Sequence, residues 1–286
     1  MSKYKVRKPV YSGSFYENEL SRLNKQIESC FLHKIGPGKL PLTNLAGKRK
    51  IVGMISPHAG YIYSGPIAAH GYFQLAHDGK PETIIILGPN HRGFGEETSI
   101  LSSGKWETPL GVLEIDHDLA NNIVKRSKIL KEDINAHKYE HSIEVQIPFI
   151  QYIFGNNVNI IPISMSRQDI ETDINIANAI SASVKDKDIV VIASSDFTHY
   201  ESSEYAYNID LQAIEAIIEF NPQKIYDMIF DQRLSMCGPG PITTMLMICK
   251  TLKAKKAELL KYATSGDITG DNKKVVGYAS MIVSKK

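Results

Sequence analysis

Four short runs rich in Ile and Val constrain this chain more than any other feature: residues 51–55, 83–87, 159–163 and 189–193. β-Branched side chains favour a pleated, packed environment, so each run is predicted to be a buried strand. Between them lie stretches with helical periodicity, and strands alternating with helices predict one α/β domain with a largely parallel central sheet flanked by helices, spanning residues 1–286. Three of the runs stop on a polar loop carrying a histidine. Ile51-Val52-Gly53-Met54-Ile55 runs into Ser56-Pro57-His58-Ala59-Gly60-Tyr61, where Pro57 ends the ladder and Gly60 permits a tight turn. The run 83–87 enters Gly88-Pro89-Asn90-His91-Arg92-Gly93, and 189–193 enters Ser194-Ser195-Asp196-Phe197-Thr198-His199. In open α/β sheets, ligands bind beyond the carboxyl ends of the strands.

In chain order, Tyr11-Ser12-Gly13-Ser14-Phe15-Tyr16 is a turn flanked by aromatics. Residues 17–32 read as an amphipathic helix with Leu20, Leu23, Ile27 and Phe31 on one face. Residues 34–50, rich in Gly, Pro and Lys, read as a loop, and a helix covers 65–73. The runs 51–55 and 83–87, joined by that helix, form a βαβ unit, which predicts a parallel pair about 4.8 Å apart with His58 and His91 aimed at one point. Residues 106–116 read as an antiparallel excursion turning at 109–111. Helices follow over 118–128, 140–150, 170–184, 203–220, 222–230 and 242–252, with closing strands at 259–264 and 275–283. The stretch 235–241 is a Gly/Pro loop holding Cys237.

At 286 residues, with 33 basic and 31 acidic side chains, the chain offers no whole-protein charge for nucleic acid or an anionic membrane. No apolar run approaches the roughly 20 residues of a spanning helix. The basic N-terminus, residues 1–7, is not followed by an apolar signal core. Cys30, Cys237 and Cys249 make no CxxC spacing and fit a reducing compartment, so the expected location is cytoplasmic.

A single histidine beside an apolar strand is more often a hydrogen-bonded core or surface residue than a ligand. That reading holds for His33, His70, His77, His117 and His137. His58, His91 and His199 differ because all three follow strand ends on one sheet edge. Two or three imidazoles with one anionic donor are a common set for iron, zinc or copper. Asp196 could supply a carboxylate or orient an imidazole, and His199, with an ordinary pKa of about 6.5, could act as a general base. Cys237 precedes a helix, whose N-terminus favours a thiolate, a soft metal ligand; Cys249, inside a helix, reads as a small buried hydrophobe. Asn90 and Arg92 flank His91, and Glu140 and Glu144 bracket His141. His141, Glu144, Asn90 and Arg92 are therefore further pocket candidates, though His141 fits a capping or ion-pair role equally well. No G-x-S-x-G elbow and no glycine-rich phosphate cradle is present, which argues against serine hydrolase chemistry and nucleotide binding.

Taken together, the motifs at 11–16, 56–61 and 88–91, Glu140-His141-Ser142-Ile143-Glu144, the stretch 194–199 and Cys237-Gly238 resemble the MEMO family, in order and over nearly the whole chain. The resemblance implies a fold like that of LigB-type class III extradiol dioxygenases, in which two histidines and a carboxylate hold non-haem iron and a further histidine is the acid/base. Carried across, His58 and His91 match the histidine ligands and His199 the acid/base residue. Cys237 stands where the carboxylate is expected, so ring cleavage does not follow. The family itself carries this cysteine; iron or copper binding and redox activity have been proposed for it, and its human member has been linked to phosphopeptide binding. Bacterial and archaeal members often accompany radical-SAM and AMMECR-type proteins. Three readings stay open: a redox protein with an iron or copper site, a module binding a peptide or small anionic ligand in the same pocket, and an extradiol-type dioxygenase.

Overall fold

Successive side chains along the central strands enter opposite layers, because the pleat has period two. Ile85, Leu87, Val191, Ala193, Ile161 and Ile163 enter one apolar layer. Ile84, Ile86, Val190, Ile192 and Ile160 enter the other. Both faces are thus covered, which is why the runs are continuously apolar rather than alternating. Each fully buried aliphatic side chain contributes about 1.5–3 kcal/mol of transfer free energy.

The computed structural model describes residues 6–44, 48–185, 187–231 and 233–285. Residues 1–5 of the basic N-terminus and 45–47 of the early loop lie outside the described residues. In chain order the elements are β1 (Val6–Arg7), α1 (Leu20–Leu32), β2 (Ile51–Ser56), α2 (Tyr61–Asp78), β3 (Thr83–Pro89), β4 (Thr98–Ile100), β5 (Lys105–Thr108) and β6 (Gly111–Glu114). Next come α3 (His117–Arg126), β7 (Lys131–Glu132), α4 (Asn135–Lys138), a 3-10 turn (Glu144–Gln146), α5 (Ile147–Phe154), β8 (Asn159–Met165) and α6 (Ile170–Ser183). The chain continues with β9 (Ile189–Ser194), β10 (His199–Glu201), α7 (Ser203–Ile218), α8 (Pro222–Phe230), α9 (Pro239–Thr251), β11 (Lys256–Thr264), α10 (Ser265–Thr269) and β12 (Val275–Ser284).

The main sheet runs β10-β12-β2-β9-β3-β8-β4-β7, with β11 on β12. Its centre, β2-β9-β3-β8, is parallel. Antiparallel pairs flank it at β12–β2 and β4–β8, so the single α/β domain has a mixed sheet around a parallel core. The predicted pairing of β2 with β3 is corrected: β9 lies between them. The β2–α2–β3 crossover skips one place, and a strand about a hundred residues later fills it. The antiparallel excursion exists as β5–β6, but it joins β1 in a separate three-stranded sheet.

Side chains cap four helices where the sequence supplies Asp, Ser or Asn: Asp116 on α3, Asp169 on α6, Ser202 on α7 and Asn221 on α8. Three local expectations change. Leu20 is 57% exposed and contributes nothing to the α1 face that buries Leu23, Ile27 and Phe31. The continuous helix predicted over 140–150 is absent; Glu140–Ser142 lie in an irregular turn ahead of the 3-10 segment. Helix α9 begins at Pro239 rather than Ile242, since a proline at the first helical position lacks only a donor that would have no partner. Among the described residues no helix is long and apolar enough to cross a membrane.

Candidate metal centre

β2 ends at Ser56, and its loop returns His58 against the ends of β9 and the α9 entry. Asp196 Oδ1 accepts the His58 main-chain N–H at 2.8 Å, fixing that loop. The His58 ring is buried, with Nδ1 2.9 Å from Ser194 Oγ. Ser194 has one hydroxyl proton, and Oγ lies 2.6 Å from the Ser142 carbonyl, which can only accept. Its Oγ also accepts from Gln146 Nε2 at 2.9 Å. His58 Nδ1 must therefore donate to Ser194, which leaves the Nε2 lone pair free. That Nε2 lies 3.2 Å from Cys237 Sγ.

Cys237 is held from both sides of its loop. The Asp196 N–H donates to its Sγ at 3.2 Å, and Gln168 Nε2 donates to its carbonyl at 3.0 Å while Gln168 Oε1 accepts from Gly240 N. A Cβ at Gly238 would stand 2.7 Å from the Ser194 carbonyl oxygen, so only glycine allows the α9 entry this close to the end of β9. The expected thiolate stabilisation at a helix start is not what the surroundings give. Burial, reinforced by the Asp196 charge, pushes the Cys237 thiol well above its ordinary value.

His91 approaches from the β3 loop. The His58 and His91 ring centroids are 5.1 Å apart, nearly perpendicular, and His141 stacks on His91 at 4.5 Å. His58, His91 and Cys237 each offer a ligand atom within 4.8 Å of the other two. Such a set is compact enough for one ion bound by two imidazoles at ~2.1 Å and a thiolate at ~2.3 Å. Burial lowers the His58 and His141 pKa values, so both imidazoles are neutral, the form that coordinates.

The other candidates have distinct placements. Asp196 binds the His58 backbone, and burial raises its carboxyl pKa. The His199 ring is oriented by Ser235, whose carbonyl lies 2.9 Å from Nδ1, and not by a hydrogen bond from Asp196. Beside it Tyr200, 72% exposed, holds a left-handed φ of 62°. Non-glycine residues adopt that conformation at a cost of roughly 1–2 kcal/mol. Asn90 shapes its own loop, with Oδ1 accepting from the N–H groups of Arg92 and Gly93. Arg92 directs Nε and Nη2 to the Tyr11 hydroxyl oxygen at 3.0 and 2.6 Å.

Glu144 is not at the pocket. Its carboxylate is committed to Arg7, to the main-chain N–H groups of Val10 and Tyr11, and to the Tyr16 hydroxyl. Its role is to hold the N-terminal segment, which sequence spacing within 140–144 cannot reveal. Conversely Ser194, Gln146, Gln168 and Glu140 support the site, and only contacts distant in sequence identify them. His70, His77 and His117 hydrogen-bond to carbonyls, as expected of structural histidines. A groove of about 450 Å³ lined by Val6, Lys8, Val10, Ile134, Lys138 and Tyr139 is separate from the histidine cluster.

A family model described as Memo-like protein matches residues 7–282. A MEMO1 family protein of Sulfurisphaera tokodaii is 48% identical over 280 residues, covering 96% of this chain and 98% of the relative. One from Methanopyrus kandleri is 44% identical over 278 residues, covering 96% and 98%. Among solved structures, the uncharacterized protein JW3007 from Escherichia coli K12 is similar with a TM-score of 0.55 at 11% identity, covering 81% of this chain and 99% of that one. That likeness is one of fold alone.

Proposed function

The chain belongs to the Memo-like protein family, and from that premise we propose that it is a metal-dependent redox protein whose centre is His58, His91 and Cys237. The observation that carries this reading is the convergence of three ligand atoms from three separate loops within 4.8 Å. The donors also fit in kind. His58 is restricted to presenting Nε2, and it faces the sulfur at 3.2 Å. Two imidazoles and a thiolate suit iron or copper, and such an ion would supply one-electron redox chemistry and Lewis acidity.

The chain's own residues supply the rest. Binding an ion requires the Cys237 proton to leave, and the raised thiol pKa makes uptake depend on pH, stronger as pH rises. Asp196 keeps the His58 loop in place through its backbone N–H. His199, fixed at Nδ1 by the Ser235 carbonyl, keeps Nε2 available to take or give a proton at the partly exposed edge of the site.

Elemental analysis of protein purified without oxygen or chelators tests this. Stoichiometric iron or copper in the wild type, lost in the His58→Ala/His91→Ala variant, is the expected result. No metal in either, even after reconstitution, overturns it.

A second reading, a ligand-binding module, rests on Arg92. Its guanidinium is held by a neutral phenol, whose own proton goes to the Tyr139 carbonyl at 2.7 Å. Among the described residues no carboxylate forms a salt bridge with Arg92. Its charge is thus available to an anionic peptide or small molecule at the rim. Binding of such a ligand by metal-free protein, unchanged by Cys237→Ala and lost in Arg92→Ala, would favour this module over the redox protein.

A further inference from the structure

His91, Glu140 and His141 also bring one ligand atom each within 4.8 Å, in the manner of a second cation site. The hydrogen bonds of Glu140 argue otherwise. Its side chain is 1% exposed. Oε2 accepts the His91 main-chain N–H at 2.6 Å. Oε1 faces His91 Nδ1 at 2.9 Å and accepts the N–H groups of His141 at 2.9 Å and Ser142 at 2.8 Å. Three of these N–H groups converge on Oε1 and one on Oε2, so the carboxylate is already engaged by protein, with two of its four donors coming from His91.

Four N–H donors converge on the Glu140 carboxyl group, and hydrogen bonds of that kind favour its ionised form. A carboxylate cannot donate, so His91 Nδ1 must carry a proton, and in the neutral ring the lone pair is then on Nε2. His58 is arranged the same way, but against a neutral hydroxyl. The two imidazoles are therefore unequal donors: one is backed by a full negative charge and the other by a serine.

We infer that Glu140 is a positioning residue that grips His91 by both its backbone and its ring, fixes its Nδ1–H tautomer and makes it the stronger donor of the pair. The ligand-strength part of this inference rests on the metal-centre reading; the tautomer part does not. A carboxylate behind a coordinating imidazole orients the ring and raises its basicity, and losing it typically weakens metal binding 10–100-fold.

The experiment has two arms. First, long-range nitrogen–proton NMR of metal-free protein labelled at histidine nitrogen reads each tautomer. His91 is expected as a single Nδ1–H tautomer in the wild type and as a mixture in Glu140→Gln, whose amide NH₂ must oppose one of the His91 or loop N–H groups. Wild-type His91 protonated at Nε2 overturns the inference without any variant. Second, cuprous-ion affinity is measured against a competing chelator for wild type, Glu140→Gln and Ser194→Ala. A loss of about 10–100-fold in Glu140→Gln, larger than in Ser194→Ala, is expected. Equal losses in the two variants, or none, overturn the inference while the metal reading stands. Failure of the wild type to bind any ion overturns the metal reading, and the tautomer arm then decides the role of Glu140 alone.

Discussion

Removing the Glu144 carboxylate should unravel the N-terminal segment from the domain. The Arg7–Glu144 pair is enclosed, with side chains 2% and 0% exposed. Glu144 also accepts from Val10 N at 3.0 Å, Tyr11 N at 2.8 Å and the Tyr16 hydroxyl at 2.7 Å. Glu144→Ala leaves a guanidinium buried over the Trp106 ring, 4.5 Å from its centroid, still bound to the carbonyls of His137 and Glu140 and so unable to swing to solvent. Deleting one partner of a buried pair costs about 3–5 kcal/mol. In a chain of this size about 1 kcal/mol moves the melting temperature by roughly 2–4 °C, so a fall on the order of 10 °C is expected in calorimetry. The Arg7→Met/Glu144→Leu variant removes both charges and should recover at least half of the loss, because the main penalty is the orphaned cation rather than the missing bond. Limited proteolysis should cut first within residues 6–16 of Glu144→Ala. A single variant within about 1 kcal/mol of wild type, or a double variant no better than the single, would refute the reasoning.

Other consequences can be checked directly. Burial raises the Asp173 carboxyl to about 8, so the folded state holds a proton that the unfolded chain releases near pH ~4; stability should fall as pH rises between those values, by up to ~1.4 kcal/mol per unit. Urea midpoints at pH 5, 7 and 9 should show a flatter profile for Asp173→Asn, and an identical slope in both proteins would sink the assignment. Gly88→Ala places a Cβ 2.6 Å from Ser142 Oγ and 2.8 Å from Ile143 Cγ1, so a loss of about 1–3 kcal/mol is expected, with altered His141 NMR shifts. Metal uptake, followed by equilibrium dialysis, should strengthen with rising pH in the wild type and lose that dependence in Cys237→Ala; an unchanged pH profile would remove the thiol from the centre.

Much of the fold is legible in the sequence because it is written in local periods. The runs at 51–55, 83–87, 159–163 and 189–193 become β2, β3, β8 and β9 nearly residue for residue, since continuous β-branched runs fit only strands covered on both faces. The helices predicted from 118, 170, 203 and 222 begin within one residue of those positions, and each is capped by the side chain just ahead of it, a local contact between residues three apart. The two histidine candidates were also accessible as loop residues beyond strand ends, a consequence of where α/β sheets present their chemistry, and Cys237 as a residue just ahead of a helix.

Only the tertiary structure decided which strands are neighbours and which polar groups meet. The insertion of β9 between β2 and β3 depends on packing between segments about a hundred residues apart, about which local period carries no information. The same distance hides the partition of the two glutamates. Glu140 and Glu144 look alike in sequence, yet one faces His91 and the other is buried against Arg7, because the turn at 140–142 breaks the helix that would have put them on one face. The protonation of Cys237 belongs to this class as well. A helix start favours its thiolate, but the burial that only folding creates outweighs that and keeps the proton on sulfur.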